Sequence, residues 1–449
     1  SVGQYEMQMN PARMSNVIPM LEAHVGDKRA ISARLKQAGL TEYDAEDPKL
    51  LNQPSSDSSR FSIDFTFEKL GLHVKGTGKP VLQGVTGSIH SGRVTAVMGP
   101  SGAGKTTFMT TLAGKAYYGD QKGTILLNGK DEPLSKYKNI VGFVPQEDVM
   151  MRDMSVKENL AHSAHLRLSN DSTNIQRRDA VNHAIDILNL YDVRHSLIGD
   201  ENTRGVSGGQ RKRVNIGIEM VADPAVLFLD EPTSGLDSTG SLEVCTALRN
   251  IAESGLTVVT VIHQPRYEIF TMFHDVLLLG KGGQTVYLGP SEKALAYFEY
   301  QGFKCPNRTN PADFFMDVIA GDVKRNGQRF DPKKLFKMWE VYRGSADFQK
   351  MANSSLSETA DNAAMVVQPK RTQASFCHMV WLFFHRAIHQ TTRHGLDVCI
   401  DNMFMLVSAL FLGLSFRADG DSWWEPPVSK DNFIGCPDQM KGDVQLLMM

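Results

Sequence analysis

Cysteine is scarce in this 449-residue chain, with five residues (Cys245, Cys305, Cys377, Cys399 and Cys436) and no C-x-x-C pair among them. That scatter argues against a disulfide scaffold or a zinc site and fits a reducing compartment for most of the chain. An excess of either charge is missing too. Lysine and arginine number 48 against 50 aspartate and glutamate, and no basic run is long, so nucleic acid is not expected as a partner. The chain opens at Ser1 without a secretory signal pattern and is expected to be a piece of something longer. The strongly apolar stretch Met403 to Phe416 stops at 14 residues, short of the ~20 a membrane-spanning helix needs. The length suits about two or three folded units.

What the chain does have is a complete G-x-x-x-x-G-K-[ST] element, GPSGAGKTT, over 99–107. The residues are Gly99, Pro100, Ser101, Gly102, Ala103, Gly104, Lys105, Thr106 and Thr107. The apolar run Val94 to Met98 before it predicts a buried strand. Thr106 to Ala113 after it carries no breaker and predicts a helix stopped at Gly114. Strand, glycine loop and helix in that order form a phosphate site. Glycines let backbone N–H groups turn onto phosphate oxygens, and the helix N-terminus adds partial positive charge. Lys105 then reaches the β/γ-phosphates and the Thr106 hydroxyl sits on Mg²⁺.

Residues 1 to 60 read as an arm ending in the polar linker Asp44 to Ser59. Phe61, Ile63, Phe65 and Phe67 alternate with polar residues, the period of a half-buried strand. Further strands around Val81-Leu82 and Gly123 to Leu127 predict a small antiparallel sheet beside the loop, able to support a nucleobase. Gln146, after the run Phe143-Val144, can hold Mg²⁺ or water through its amide, or be an ordinary polar loop residue. Ser155 and Glu158 make a capping box that opens a helical insertion running to about Leu190.

Ser207-Gly208-Gly209-Gln210 opens another helix. Ser207 and Gln210 can be a second capping box, and the two glycines can bare N–H groups as a second anion site. Ala225 to Leu229 is a buried strand ending in Asp230-Glu231. An acid at that strand end beside a phosphate loop is placed to hold Mg²⁺, the role given to Asp230. Glu231, one residue on, points elsewhere and can polarise an attacking water as general base. Leu256 to Ile262 is a further strand. The His263 that follows is either structural or a sensor of a γ-phosphate.

The ordered set GPSGAGKTT, VPQED, VSGGQRKR, VLFLDEPTSGLDS and VIHQPR resembles the nucleotide-binding domain of ATP-binding cassette proteins over about 61–320. The resemblance implies an α/β fold, a P-loop cassette with a RecA-like core, a small antiparallel β subdomain and a helical subdomain. It implies ATP and Mg²⁺, Gln146 as the Q-loop, Asp237 as the D-loop and His263 as the switch histidine. It also implies a head-to-tail dimer, with ATP held between the phosphate loop of one copy and Ser207, Gly208, Gly209 and Gln210 of the other. There are two departures. Val206 stands where leucine is commoner, and His73 or Val74 stands where an aromatic usually stacks on adenine, which predicts loose nucleotide choice.

Asn310-Pro311-Ala312-Asp313-Phe314-Phe315 resembles the segment closing the cassette in the G subfamily, the white-brown type. Residues 321–372 read as a mobile linker with one helix near 331–343. Ser375 to His394 predicts an amphipathic helix within 373–394, with His378, His385, Arg386 and His389 on its polar face. By hydropathy alone, Met403 to Phe416 suits a core helix as well as a spanning one. The G-subfamily resemblance implies a connecting helix followed by a first transmembrane helix at 396–416, with 417–449 a polar segment of an incomplete membrane domain. The implied protein is a half-transporter, paired with a second half-transporter in a plasma membrane with its cassette on the cytoplasmic face. It would spend ATP to export a hydrophobic or lipid-like substrate, in contact with membrane lipid. The alternative is a soluble ATP-binding cassette ATPase without transport.

Overall fold

The computed structural model describes residues 62–132, 134–200, 203–345, 348, 375–393 and 395–418. The expected arm 1–60 and most of the post-helix segment lie outside them. In chain order the strands are β1 Phe65–Val74, β2 Pro80–Ile89, β3 Val94–Met98, β4 Gly119–Leu127, β5 Val141–Val144, β6 Val226–Asp230, β7 Thr257–Val261, β8 Asp275–Gly280 and β9 Gln284–Pro290. The helices are α1 Lys105–Leu112, α2 Val156–Arg167, α3 Asn174–Ile187, α4 Gly208–Met220, α5 Ser238–Glu253, α6 Tyr267–Phe270, α7 Ser291–Tyr300, α8 Pro311–Ala320, α9 Lys334–Arg343, α10 Phe376–Arg393 and α11 Gly395–Ala418.

Two sheets organise residues 62–345. The smaller is antiparallel, in the order β2-β1-β4. The larger runs β5-β6-β7-β3-β8-β9, parallel except for the β8–β9 hairpin. Its strands are apolar at nearly every position because both faces are covered. β6 makes the point: Val226 and Phe228 join a core with β1, β2 and α1, whereas Leu227 and Leu229 join one with α2, α3 and α5. A bidentate ion pair from Arg93 to Asp275, at 2.7 and 2.9 Å, ties the start of β3 to β8.

The expected alternation at 61–67 appears as Ile63, Phe65 and Phe67 buried on one face, until Lys69 takes a left-handed φ of 49° and shifts the register. Both predicted capping boxes form, Ser155 with Glu158 and Ser207 with Gln210. The structure departs from the expected linker at 321. Phe330, Leu335 and Trp339 are buried, and Trp339 touches Tyr287, Tyr297, Tyr342 and Phe348. The helix expected near 331–343 forms at Lys334–Arg343, and its buried residues cover β9.

α10 sits on α2. Arg393 donates to Glu158 at 2.6 Å and to the Asp153 carbonyl at 2.7 Å, and Phe383 meets the His162 ring edge-on. Residues 396–416 lie within α11, whose described apolar side chains are exposed, Phe404 and Met405 by 72% and 74%. Among the described residues no helix is long and apolar enough to cross a membrane.

Candidate nucleotide site

Four parallel neighbours, β5, β6, β7 and β3, end on the same edge of the large sheet, and each is followed by a residue singled out from the sequence. Gln146 follows β5, Asp230 and Glu231 close β6, His263 lies two residues past β7, and the glycine loop follows β3. Asp230 pairs with Val261, and Val261 with Val97, so register brings these exits level. The carboxyl edge of such a sheet is where ligands sit.

The loop geometry demands glycine. A Cβ at Gly99 would stand 2.4 Å from the Leu279 carbonyl oxygen, and Gly104 caps α1 with φ 86°. Pro100, Ser101, Gly102 and Ala103 complete the bend, with Ala103 buried beneath it. Lys105, 8% exposed as a residue, donates from its ammonium to the carbonyls of Gly99 and Pro100 at 2.9 and 3.2 Å. Burial lowers its pKa, against the opposing pull of Glu231 and Asp230. The Thr106 hydroxyl donates to Asp230 Oδ1 at 3.2 Å, and burial raises the Asp230 pKa. Gln146 Nε2 donates to Glu231 Oε2 at 3.1 Å. Thus Lys105, Thr106, Asp230, Glu231 and Gln146 form one constellation of a cation, a hydroxyl, two acids and an amide. The donors suit Mg²⁺, which takes oxygen ligands and keeps several waters. Among the described residues no group of three or more His, Cys, Asp or Glu side chains gathers as a denser metal site would require.

Backbone strain marks the same edge. Glu231 and Gln264, neither of them glycine, adopt left-handed φ of 47° and 42°. Such conformations cost of order 1–3 kcal/mol and persist where the surroundings enforce them. The Glu231 N–H donates to the Val261 carbonyl at 3.1 Å, which holds it there. His263 is exposed beside Gln264. Nothing in residue type announces positive φ at a glutamate, so sequence reasoning missed this strain.

Ser207, Gly208, Gly209 and Asp237 gather elsewhere, lining a second cleft of about 300 Å³ with Gly235, Leu236 and Gly240. Gln210 is tied to Ser207 in the capping box. A Cβ at Gly209 would come within 3.0 Å of Gly240 Cα, so a glycine lets the starts of α4 and α5 cross closely. Asp237 caps α5, accepting from the Gly240 N–H at 3.1 Å. The residues of the second anion site expected from the sequence therefore line a cleft whose lining is separate from the phosphate loop. At the end of β1, the central strand of the small sheet, His73 pairs with Pro80 and Asp120, and Val74 with Gly119.

The family described as ABC transporter matches residues 82–234, and the one described as ABC-2 type transporter matches residues 263–412. ABC transporter G family member 28 of Arabidopsis thaliana is 46% identical over 283 residues, 63% of this chain and 26% of its own length. ABC transporter G family member 25 of Oryza sativa subsp. japonica is 45% identical over 288 residues, 64% of this chain and 28% of its own. The broad substrate specificity ATP-binding cassette transporter ABCG2 of Mus musculus is 42% identical over 306 residues, 67% and 45%. The chain thus spans from about a quarter to under half the length of these relatives.

Proposed function

This chain belongs to the G subfamily of ATP-binding cassette transporters, and from that premise we propose that its cassette hydrolyses ATP within a half-transporter. The observation that carries the reading is the joined set Lys105, Thr106, Asp230, Gln146 and Glu231 on one sheet edge. Loop N–H groups and Lys105 bind the phosphates. Asp230 and the Thr106 hydroxyl would hold Mg²⁺, which would supply neutralisation of phosphate charge. Glu231, positioned by Gln146 and by its strained backbone, takes the proton of the attacking water. His263 meets the γ-phosphate from the neighbouring strand exit.

The Ser207-Gly208-Gly209 cleft lies apart from the phosphate loop and serves the nucleotide of a second copy, homologous or identical. Two nucleotides then close the cassettes head to tail, and hydrolysis reopens them. The cargo class this family reading favours is hydrophobic or lipid-like. The match to the ABC-2 type transporter family and the apolar, exposed α11 support a membrane setting. In this reading 396–416 belongs to the first span of the whole protein, and the cassette lies on the cytoplasmic side of a plasma membrane.

Glu231→Gln tests the chemistry. The variant retains ATP binding, loses turnover by at least ~10²-fold, and accumulates as an ATP-bound dimer by size-exclusion chromatography. Hydrolysis at the wild-type rate removes Glu231 from its role. Carbonate washing of membranes from cells making the full-length protein tests the setting, because release into the soluble fraction favours a non-transport ATPase.

A further inference from the structure

Lys212 is a charged residue buried to 4% exposure in α4, and none of the roles above uses it. Its ammonium makes two contacts at 2.7 Å, one to Asp148 Oδ1 and one to the backbone carbonyl of Gln146. Asn215, one turn along α4, donates to the same Asp148 oxygen at 3.5 Å. Further along α4, Glu219 Oε2 accepts from the Phe143 N–H at 3.1 Å and is itself paired with Arg167. One helix therefore grips both sides of the segment that carries Gln146. The Gln146 side chain reaches Glu231, and the first turn of α4 lines the second cleft.

Burying an ammonium costs several kcal/mol before its partners offset it, and an apolar side chain of similar volume often serves stability equally well. Lys212 is therefore poorly explained as a stabilising residue. Its reach accounts for it better. It is the link between α4, whose N-terminus faces one nucleotide cleft, and the amide that orients the base in the other. Five residues of helix, about 7 Å of rise, separate Ser207 from Lys212, so a shift of the helix end moves the ammonium with it.

We propose that Lys212 is a positioning residue that holds the Gln146 carbonyl, and so sets where the Gln146 amide meets Glu231 according to the position of α4. This rests on the ATPase reading above. The direct test is Lys212→Met, which keeps the length of the side chain and removes its charge. Amide exchange of residues 146–149 in the nucleotide-free chain is expected to rise severalfold while that of α4 stays protected. In hydrolysis, kcat falls about tenfold with KM for ATP within about twofold, since the lost contact orients the base and does not bind substrate. Lys212→Arg restores most of the loss. In a Gln146→Ala background, Lys212→Met takes away little more, because its path to the site is already cut.

Unchanged exchange at 146–149, an unchanged kcat, or an equal loss in the Gln146→Ala background would each overturn the proposal. If Lys212→Met does not fold, Asp148→Asn is the second probe. It weakens the hold on the ammonium and must speed exchange at 146–149 in the same direction. The two readings fail separately. Glu231→Gln retaining turnover sinks the ATPase assignment, whereas Glu231→Gln losing turnover while Lys212→Met keeps it sinks only the link.

Discussion

Two tryptophans show how differently the cassette and the C-terminal helices use apolar surface. Trp339, on α9, is 3% exposed and ringed by four aromatic neighbours. Trp381, on α10, is 57% exposed and lies between the rings of His378 and His385. Among the described residues from 62 to 343 the chain covers most large apolar side chains, with Tyr117, Tyr300 and Val341 among the exceptions. In α10 and α11 it leaves Phe376, Phe384, Phe404, Met405 and Phe411 outside. A helix apolar all round is stable in water only when something else covers it. The described cassette buries most of its apolar surface against itself, whereas the described apolar side chains of the two helices stay largely exposed.

The largest expected effect breaks the cassette's function without touching that packing. Lys105→Ala removes the one buried cation at the phosphate loop and should weaken nucleotide binding by at least ~10²-fold, as removal of a charge-assisted contact in a desolvated site does. Fluorescent-nucleotide titration measures it, and unchanged affinity contradicts the role given to Lys105. Circular dichroism should show the fold intact.

The tryptophan pair sharpens the contrast directly. Trp339→Ala should cost about 3–5 kcal/mol in cassette stability, because a large buried ring leaves a cavity. Trp381→Ala should change the same unfolding curve by less than about 0.5 kcal/mol. It should instead lower partition onto lipid vesicles, since an exposed indole suits a membrane–water interface. Equal destabilisation by the two substitutions would erase the distinction.

Legibility followed the range of the interactions. The glycine loop, both capping boxes and the fully apolar strands are local patterns with a direct physical reading, and they appear where expected. That Gln146, Asp230, Glu231 and His263 lie at strand ends was readable from the apolar runs before them, and the structure brings those ends to one sheet edge. The helix over 334–343 was partly visible, but not that Phe330, Leu335 and Trp339 belong to the core, since their partners on β9 and α7 come from earlier in the chain. The left-handed Glu231 and Gln264, and the bond from Lys212 to the Gln146 carbonyl, left no mark in composition. A contact 66 positions apart has no sequence period to betray it.

The seam between the two regions should be weaker than either side. Arg393 and Glu158 are each about one-third exposed, so Arg393→Ala should loosen α10 by about 0.5–1 kcal/mol, less at high salt. Faster amide exchange confined to α10 is the expected readout. Exchange unchanged in both low and high salt would mean that the ion pair contributes nothing to docking.

The smallest expected effect is a pH dependence at the same seam. His162, on α2, is half-buried and has the Arg386 guanidinium 3.5 Å from Nε2, with His165 also nearby. His165 lies near Arg177 of α3 and His378 of α10. Burial first, and these cations second, hold both pKa values below the ordinary 6.5. A base whose pKa is depressed by docking binds its proton more readily when undocked. Docking is therefore at full strength above pH 6.5 and weakens as the pH falls through 6.5 toward the lower docked values. The Arg393–Glu158 pair opposes any early release, because burial of Glu158 is outweighed by its hydrogen bonds from Ser155 and Arg393, which keep its pKa low. Exchange in α10, corrected for the intrinsic amide rate at each pH, should rise severalfold between pH 7.5 and 5.5, and the rise should flatten in the His162→Gln, His165→Gln double variant. The same slope in both proteins would mean that the histidines do not control the seam, leaving its strength to the ion pair and the Phe383 contact.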